Sequence, residues 1–184
     1  PYGERVVLRT LKVFHVSYIP ELSELQLSKN IYNQFTELIK SPGIFTIAGP
    51  SGSGKTTTVY SALRHMNSPE VNIMTLEDPV ECQLENICQI QISHTGLSAA
   101  SAIQSLLAQD PDVIFLGQIR DQETAAAAAA AALSGYLVFT TLDANSASDA
   151  IFRMIRLGID PSLAAASLIG VLAQRLVRRL CDQC

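Results

Sequence analysis

IFTIAGPSGSGKTTT, residues 44–58, decides the fold. An apolar run ends in a glycine-rich loop, and a helical pattern starts at Lys55. Strand, GxxxxGK[ST] and helix in that order form a loop that wraps phosphate. Gly49, Gly52 and Gly54 permit backbone angles and close approaches that a side chain blocks. The N–H groups of the loop and of the helix N-terminus then face phosphate oxygens. The expected nucleotide-binding set is Gly49, Pro50, Ser51, Gly52, Ser53, Gly54, Lys55, Thr56 and Thr57. Lys55 is expected at the β and γ phosphates, and the Thr56 hydroxyl on Mg²⁺. Glycine-rich loops also arise by chance, but the flanking strand and helix make this match specific.

Working outward, apolar strands alternate with helical runs. Candidate strands are IFTIAG (44–49), NIMTLE (72–77), ICQIQI (87–92), DVIFLG (112–117) and YLVFTTL (136–142). Helical runs begin near Lys55, Ser98, Asp121 and Ala147. Continuous apolar strands signal burial on both faces. The alternation predicts an α/β fold, a mainly parallel sheet flanked by helices. ICQIQI follows its neighbour too closely for a helical crossover, so a β-hairpin insertion is expected there. Ala125 to Ala132 suit a helix pressed against the sheet. Ser146 and Asp149 fit a capping box, and Gly158 with Pro161 ends that helix. On it, Ile151, Met154 and Ile155 are expected to face the core. An earlier helix, IYNQFTELI (31–39), shows one apolar face of Ile31, Phe35, Leu38 and Ile39.

Ligands in such sheets bind beyond the carboxyl ends of the strands. LEDPVE (76–81) therefore places Glu77 and Asp78 near the phosphates, one to orient a water and the other as a candidate Mg²⁺ ligand. The same tripeptide also serves as a plain turn. DVIFLGQIRD (112–121) ends where a nucleotide hydrolase keeps an acid, yet residue 118 is Gln118. Its amide can hydrogen-bond a water but cannot take a proton. Arg120 is a partner for phosphate or for Asp121, and Asp121 serves equally as a helix N-cap. Thr140 and Thr141 are candidate γ-phosphate sensors. Asp143 is a carboxylate close to a triphosphate, which needs a metal or arginine to offset it.

The 184 residues are 48% hydrophobic with a formal charge of −4. That excludes a disordered tail and counts against a nucleic-acid binder. Arg175, Arg178 and Arg179 form a local basic cluster, read as a solvated or subunit-facing surface. The first residues do not read as a signal peptide, and the alanine-rich stretch 125–139 is too short and weakly apolar to span a membrane. Four cysteines without framework spacing suggest a cytoplasmic protein. Residues 1–12 read as the end of a preceding N-terminal module and 13–29 as a polar linker. Residues 30–184 read as the nucleotide-binding domain.

The ordered blocks resemble the secretion and pilus-assembly ATPases of type II secretion and type IV pilus systems. They are GERVVLR, GPSGSGKTT, TLEDPVE, QDPDVIFLGQIRDQETA, SGYLVFTTLDANSA, RLGIDP and LIGVLAQRLVRRLCDQC. The resemblance implies a RecA-like P-loop ATPase domain using ATP and Mg²⁺, with Glu77 as general base. It implies a homo-hexamer acting on an inner-membrane platform protein. It also implies a location peripheral at the bacterial inner membrane, on the cytoplasmic side, through partners; the acidic charge leads to the expectation that no nucleic acid is bound. The CDQC pair, Cys181 and Cys184, resembles half of a Cys₄ zinc site completed in a longer chain. Taken alone, the pair reads as two surface thiols.

Four positions depart from the family pattern. Gln118 stands for Glu, Asp143 for the His of the histidine box, Tyr136 for a second His, and Ala108 for Arg. Natural divergence accounts for all four, whereas an engineered trap at 118 accounts for one. Gln118 removes a negative charge and Asp143 adds one. If both face one phosphate–metal cluster, the carboxylate has moved across the site; a separation beyond about 10 Å, a Debye length, would exclude that. Slow hydrolysis is expected, and Gln118→Glu is expected to accelerate it if the rest of the site is intact. The alternatives are a catalytically degenerate, nucleotide-gated structural subunit and, against the acidic charge, a RecA-like nucleic-acid motor.

Overall fold

The computed structural model describes residues 19–178 and residue 180. The strand expected within GERVVLRTLKVF, Arg179, and the Cys181–Cys184 pair lie outside the described residues. The strands are β1 (Gly43–Ala48), β2 (Ile73–Glu77), β3 (Cys88–Gln91), β4 (Val113–Gln118), β5 (Leu137–Leu142) and β6 (Leu168–Ala173). The helices are α1 (Lys29–Leu38), α2 (Lys55–Met66), α3 (Ala99–Leu107), α4 (Gln122–Leu133), α5 (Ala147–Arg156) and α6 (Pro161–Ser167). One sheet runs β3-β2-β4-β5-β1-β6, and every strand pair among the described residues is parallel.

Alternate residues of each strand feed two cores. Ile44, Ala48, Val138 and Leu142 pack with α3, α4, α5 and α6 on one face. Phe45, Ile47, Leu137 and Phe139 pack with α1 and α2 on the other. β1, β2 and β5 are buried along their whole length. That is why they read as unbroken apolar runs. Ala125, Ala128, Ala129, Ala131 and Ala132 of α4 are buried. Their single methyl groups let the helix axis lie close to the sheet.

The expected hairpin at ICQIQI is corrected. β3 pairs parallel to β2, Met74 with Cys88 through Glu77 with Gln91. The connection, residues 78–87, contains no helix. Fully extended it reaches about 33 Å, while a strand as short as β3 rises only about 13 Å. A loop therefore suffices for the return. It is packed rather than free: Cys82 and Leu84 are buried, and the Gln89 side chain donates to the Cys82 carbonyl at 2.9 Å and accepts from Leu84 N–H at 2.7 Å.

β6 and α6 were not expected. α6 passes into β6 without a loop, so no turn residue punctuates the sequence there. Part of the stretch read as linker is also packed. Ile19 and Leu22 are buried, Leu22 opening a 3₁₀ turn. Ser61 and Arg64 of α2 donate to the Pro20 and Ile19 carbonyls, each at 2.7 Å. On α1 the apolar face is narrower than read: Phe35 and Ile39 are buried, Ile31 and Leu38 exposed. On α5, Ala150 and Met154 face the core, whereas Ile151 is exposed. The Ser146 cap holds, accepting from Asp149 N–H at 3.1 Å, but the Asp149 carboxylate reaches Asn145 N–H rather than completing a box.

Candidate nucleotide site

The phosphate loop leaves β1 at Ala48 and enters α2 through Gly54, whose φ of +85° only glycine adopts readily. No side chain caps the first turn of α2. Its N–H groups and the positive end of its dipole therefore face the cleft. A Cβ on Gly49 would fall 2.4 Å from Ser53 Oγ and 2.5 Å from the Gln174 carbonyl oxygen, so this position has no room for a side chain. The Ser53 hydroxyl is buried with no hydrogen-bond partner in the protein. An uncapped helix start and a loop with no room for a side chain at Gly49 fit a phosphate-bearing ligand.

The Lys55 ammonium donates to the Gly49 carbonyl at 2.9 Å, the Pro50 carbonyl at 3.0 Å and Asp143 Oδ1 at 2.9 Å. All three of its hydrogens are committed. Asp143 Oδ2 accepts from Gln118 Nε2 at 2.9 Å. Gln118 and Asp143 are thus in direct contact, far inside the separation that would exclude a carboxylate moved across the site. The bond to Lys55 holds the Asp143 carboxyl below the usual carboxylate range; Gln118 and Arg153 act in the same direction, against partial burial. Asp143 is thus ionised at neutral pH.

The β4–β5 pairing slips between Leu116 and Gln118, leaving Gly117 as a bulge. The Thr141 hydroxyl donates to the Gly117 carbonyl at 2.5 Å. Bulges re-aim side chains, and this one delivers Gln118 toward the loop after β5. Arg120 Nε donates to Gln118 Oε1 at 3.3 Å, so Arg120 pairs with Gln118 and not with Asp121. Asp121 caps α4, accepting from Thr124 N–H at 2.8 Å and the Thr124 hydroxyl at 3.0 Å.

Glu77 closes β2 and is only 3% exposed. Its carboxylate accepts from the hydroxyls of Tyr60 and of Thr75, the latter at 2.6 Å, and from Gln89 Nε2 at 3.2 Å. Burial pushes its carboxyl up, outweighing these donors, which favour the charged form. Burial also pushes the Tyr60 phenol up, with the Glu77 charge adding to it.

The cleft has a volume of about 660 Å³. Ser51, Gly52, Gly54, Lys55, Thr56 and Thr57 line it, facing Glu77, Asp78, Gln118, Thr141 and Asp143. Ser53 is buried beneath the loop, as is Gly49; Pro50 is half-buried. Thr140 is fully buried and does not line the cleft, so of the two threonines Thr141 alone is placed to meet a ligand. The carboxylate that the Thr56 hydroxyl meets is Glu81, at 3.5 Å, a residue not singled out from sequence. Its signal was the second glutamate of LEDPVE. Gln174 was missed altogether. It donates to the Ser53 carbonyl at 2.7 Å and accepts from the Thr58 hydroxyl at 2.8 Å, tying the loop to the chain after β6. Thr56, Glu81 and Asp143 supply oxygen donors, the type that Mg²⁺ takes. No His, Cys, Asp and Glu cluster of metal-site form occurs among the described residues.

Fold and loop together define a P-loop nucleotide-binding domain. The family described as type II/IV secretion system protein matches residues 1–184, and the chain belongs to it. It is 47% identical to the type IV pilus assembly ATPase PilB of Thermus thermophilus over 100% of its own length and 21% of that protein's. It is 49% identical to the type II secretion system protein E of Dickeya dadantii over 100% of its length and 37% of that protein's. Among solved structures it is similar to the pilus retraction motor PilT with bound ADP. The TM-score there is 0.79 at 34% identity, covering 89% of this chain and 50% of that one. The chain thus spans well under half the length of these two sequence relatives.

Proposed function

We propose that this chain is the ATP-hydrolysing domain of a motor subunit serving a type II secretion or type IV pilus machine. The observation that carries the reading is the meeting of Lys55 and Thr56 with Glu77, Gln118 and Asp143 around one cleft. Membership of the secretion family and the ATPase names of its relatives support it. The loop N–H groups and Lys55 bind and orient the phosphates. Thr56 and Asp143, with Asp78 and Glu81 lining the same cleft, would hold Mg²⁺, which would supply charge neutralisation at the transferring phosphate. Glu77 takes a proton from water, its raised basicity set by burial. With no carboxylate at position 118 to support the metal, turnover is slow.

In the complete protein the reading extends to a homo-hexamer at the inner membrane, coupled to a platform protein, and to zinc held in part by Cys181 and Cys184. No helix among the described residues is long and apolar enough to cross a membrane. A second reading, a nucleotide-gated subunit without useful turnover, is favoured by one observation: both ends of the Gln118 amide are engaged, the NH₂ by Asp143 and the oxygen by Arg120. Single-turnover hydrolysis by the intact protein separates the two. Bound ATP converted to ADP supports the motor. Bound ATP that persists supports the gate. Absence of Mg²⁺-dependent ATP binding, or binding unaffected by Lys55→Ala, overturns both.

A further inference from the structure

We infer that Asp143, delivered by β5, supplies a carboxylate to the metal side of this cleft, and that Gln118 at the end of β4 is the positioning residue that holds it. This inference rests on the proposed ATP site. P-loop hydrolases need an acid beside the phosphate loop to support Mg²⁺. Of the carboxylates around the cleft, Asp121 is spent as the cap of α4. Glu77 is buried under three donors from Tyr60, Thr75 and Gln89. Asp78 and Glu81 also line the cleft, Glu81 beside the Thr56 hydroxyl at 3.5 Å, and they remain open to the same ion. Asp143 is the carboxylate that Lys55 holds, at 2.9 Å.

The contact between the two residues explains why they differ from the family pattern together. Gln118 Nε2 gives Asp143 Oδ2 a hydrogen at 2.9 Å. A glutamate at 118 has no hydrogen to give when ionised, and two carboxylates in that contact repel. Asp143 therefore requires an uncharged donor at 118. Glutamine, shaped like glutamate, supplies one without altering the strand end. The pair carries one negative charge, as does the Glu and neutral His that the resemblance implies, but the charge sits on the neighbouring strand. The Arg153 guanidinium fixes that strand end by donating to the Asp143 carbonyl at 2.6 Å.

Four forms of the intact protein test this: wild type, Gln118→Glu, Asp143→Asn, and the double variant, which exchanges donor and acceptor. The readout is affinity for a fluorescent ATP analogue with Mg²⁺ and with chelator. Asp143→Asn is expected to lose about tenfold or more of the Mg²⁺-dependent gain, while binding in chelator is unchanged or tighter. The double variant is expected to regain Mg²⁺ dependence. Gln118→Glu alone is expected to gain nothing, and it needs no change at Asp143 should that substitution impair folding. Full Mg²⁺ dependence in Asp143→Asn, a double variant no better than Asp143→Asn, or a tighter Mg²⁺ complex in Gln118→Glu overturns the inference. A wild type that binds the analogue under neither condition sinks the proposed function instead.

Discussion

The phosphate loop and the carboxylate rim opposite it solve the same task by different means. The loop binds with backbone N–H groups, and its working parts lie consecutively from Gly49 to Thr57. The rim binds with side chains from the ends of β2, β4 and β5, which are far apart in sequence and meet through sheet register. A backbone device tolerates little change, because its geometry is its chemistry. A side-chain device can be rearranged if charge and hydrogen bonding balance, and the proposed role of the hydrogen-bonded Gln118–Asp143 pair would be such a rearrangement.

The largest expected effect lies on the rim. Glu77→Gln removes the proposed base and should lower hydrolysis by about 10²- to 10⁴-fold in single-turnover assays, leaving ATP affinity within a few-fold. Unchanged turnover would take Glu77 out of the chemistry and leave the rim to Asp143. On the loop, Gly49→Ala must displace Ser53 or the Gln174 backbone. It should cost about 1–3 kcal/mol of stability, read by chemical denaturation, and abolish ATP binding. A stable, binding-competent Gly49→Ala would break the contrast. Gln174→Ala leaves the Ser53 carbonyl and Thr58 hydroxyl without their partner, for about 1–3 kcal/mol. It should raise KM more than it lowers kcat, with partial rescue by Gln174→Glu, which retains an acceptor for Thr58. Ser146→Ala, which removes the cap of α5, should cost about 1 kcal/mol of stability, read by chemical denaturation.

Proton linkage sharpens the same contrast. Burial raises the Glu77 carboxyl above its ordinary value of 4.5, so the folded state prefers the neutral acid. Its contribution is fully present below 4.5 and is lost as pH rises through the raised value. Asp143 runs the other way: held down by Lys55, it contributes above 3.8 and is lost as pH falls below that. Stability measured against pH should therefore show a decline above 4.5 that vanishes in Glu77→Gln and persists in Asp143→Asn.

What could be read in the sequence follows the same division. The loop, the five strands first recognised and the α4 alanine face depend on local pattern, and the structure has them where that pattern puts them. β6 escaped because α6 runs into it with no glycine or proline between. β3 was read as a hairpin because a packed loop, held by Gln89, replaces the usual helix. Ile151 was assigned to the core by spacing, whereas Ala150 fills that place. At the site, Glu81 and Gln174 were overlooked because neither belongs to the loop motif. The Gln118–Asp143 contact was conceivable from charge balance, but its hydrogen bond depends on the Gly117 bulge, which no residue pattern announced.

Gln174 has a mechanical consequence. Its backbone N–H is bonded to the Ala48 carbonyl and its side chain to Ser53 and Thr58. The next residue, Arg175, donates to the Asn145 carbonyl at 2.7 Å, two positions beyond the aspartate that grips Lys55. Loop, last strand and carboxylate thus form a closed circuit rather than a chain with free ends. In a circuit no link is disturbed alone. Substitutions at Lys55, Asp143, Arg175 and Gln174 should combine non-additively.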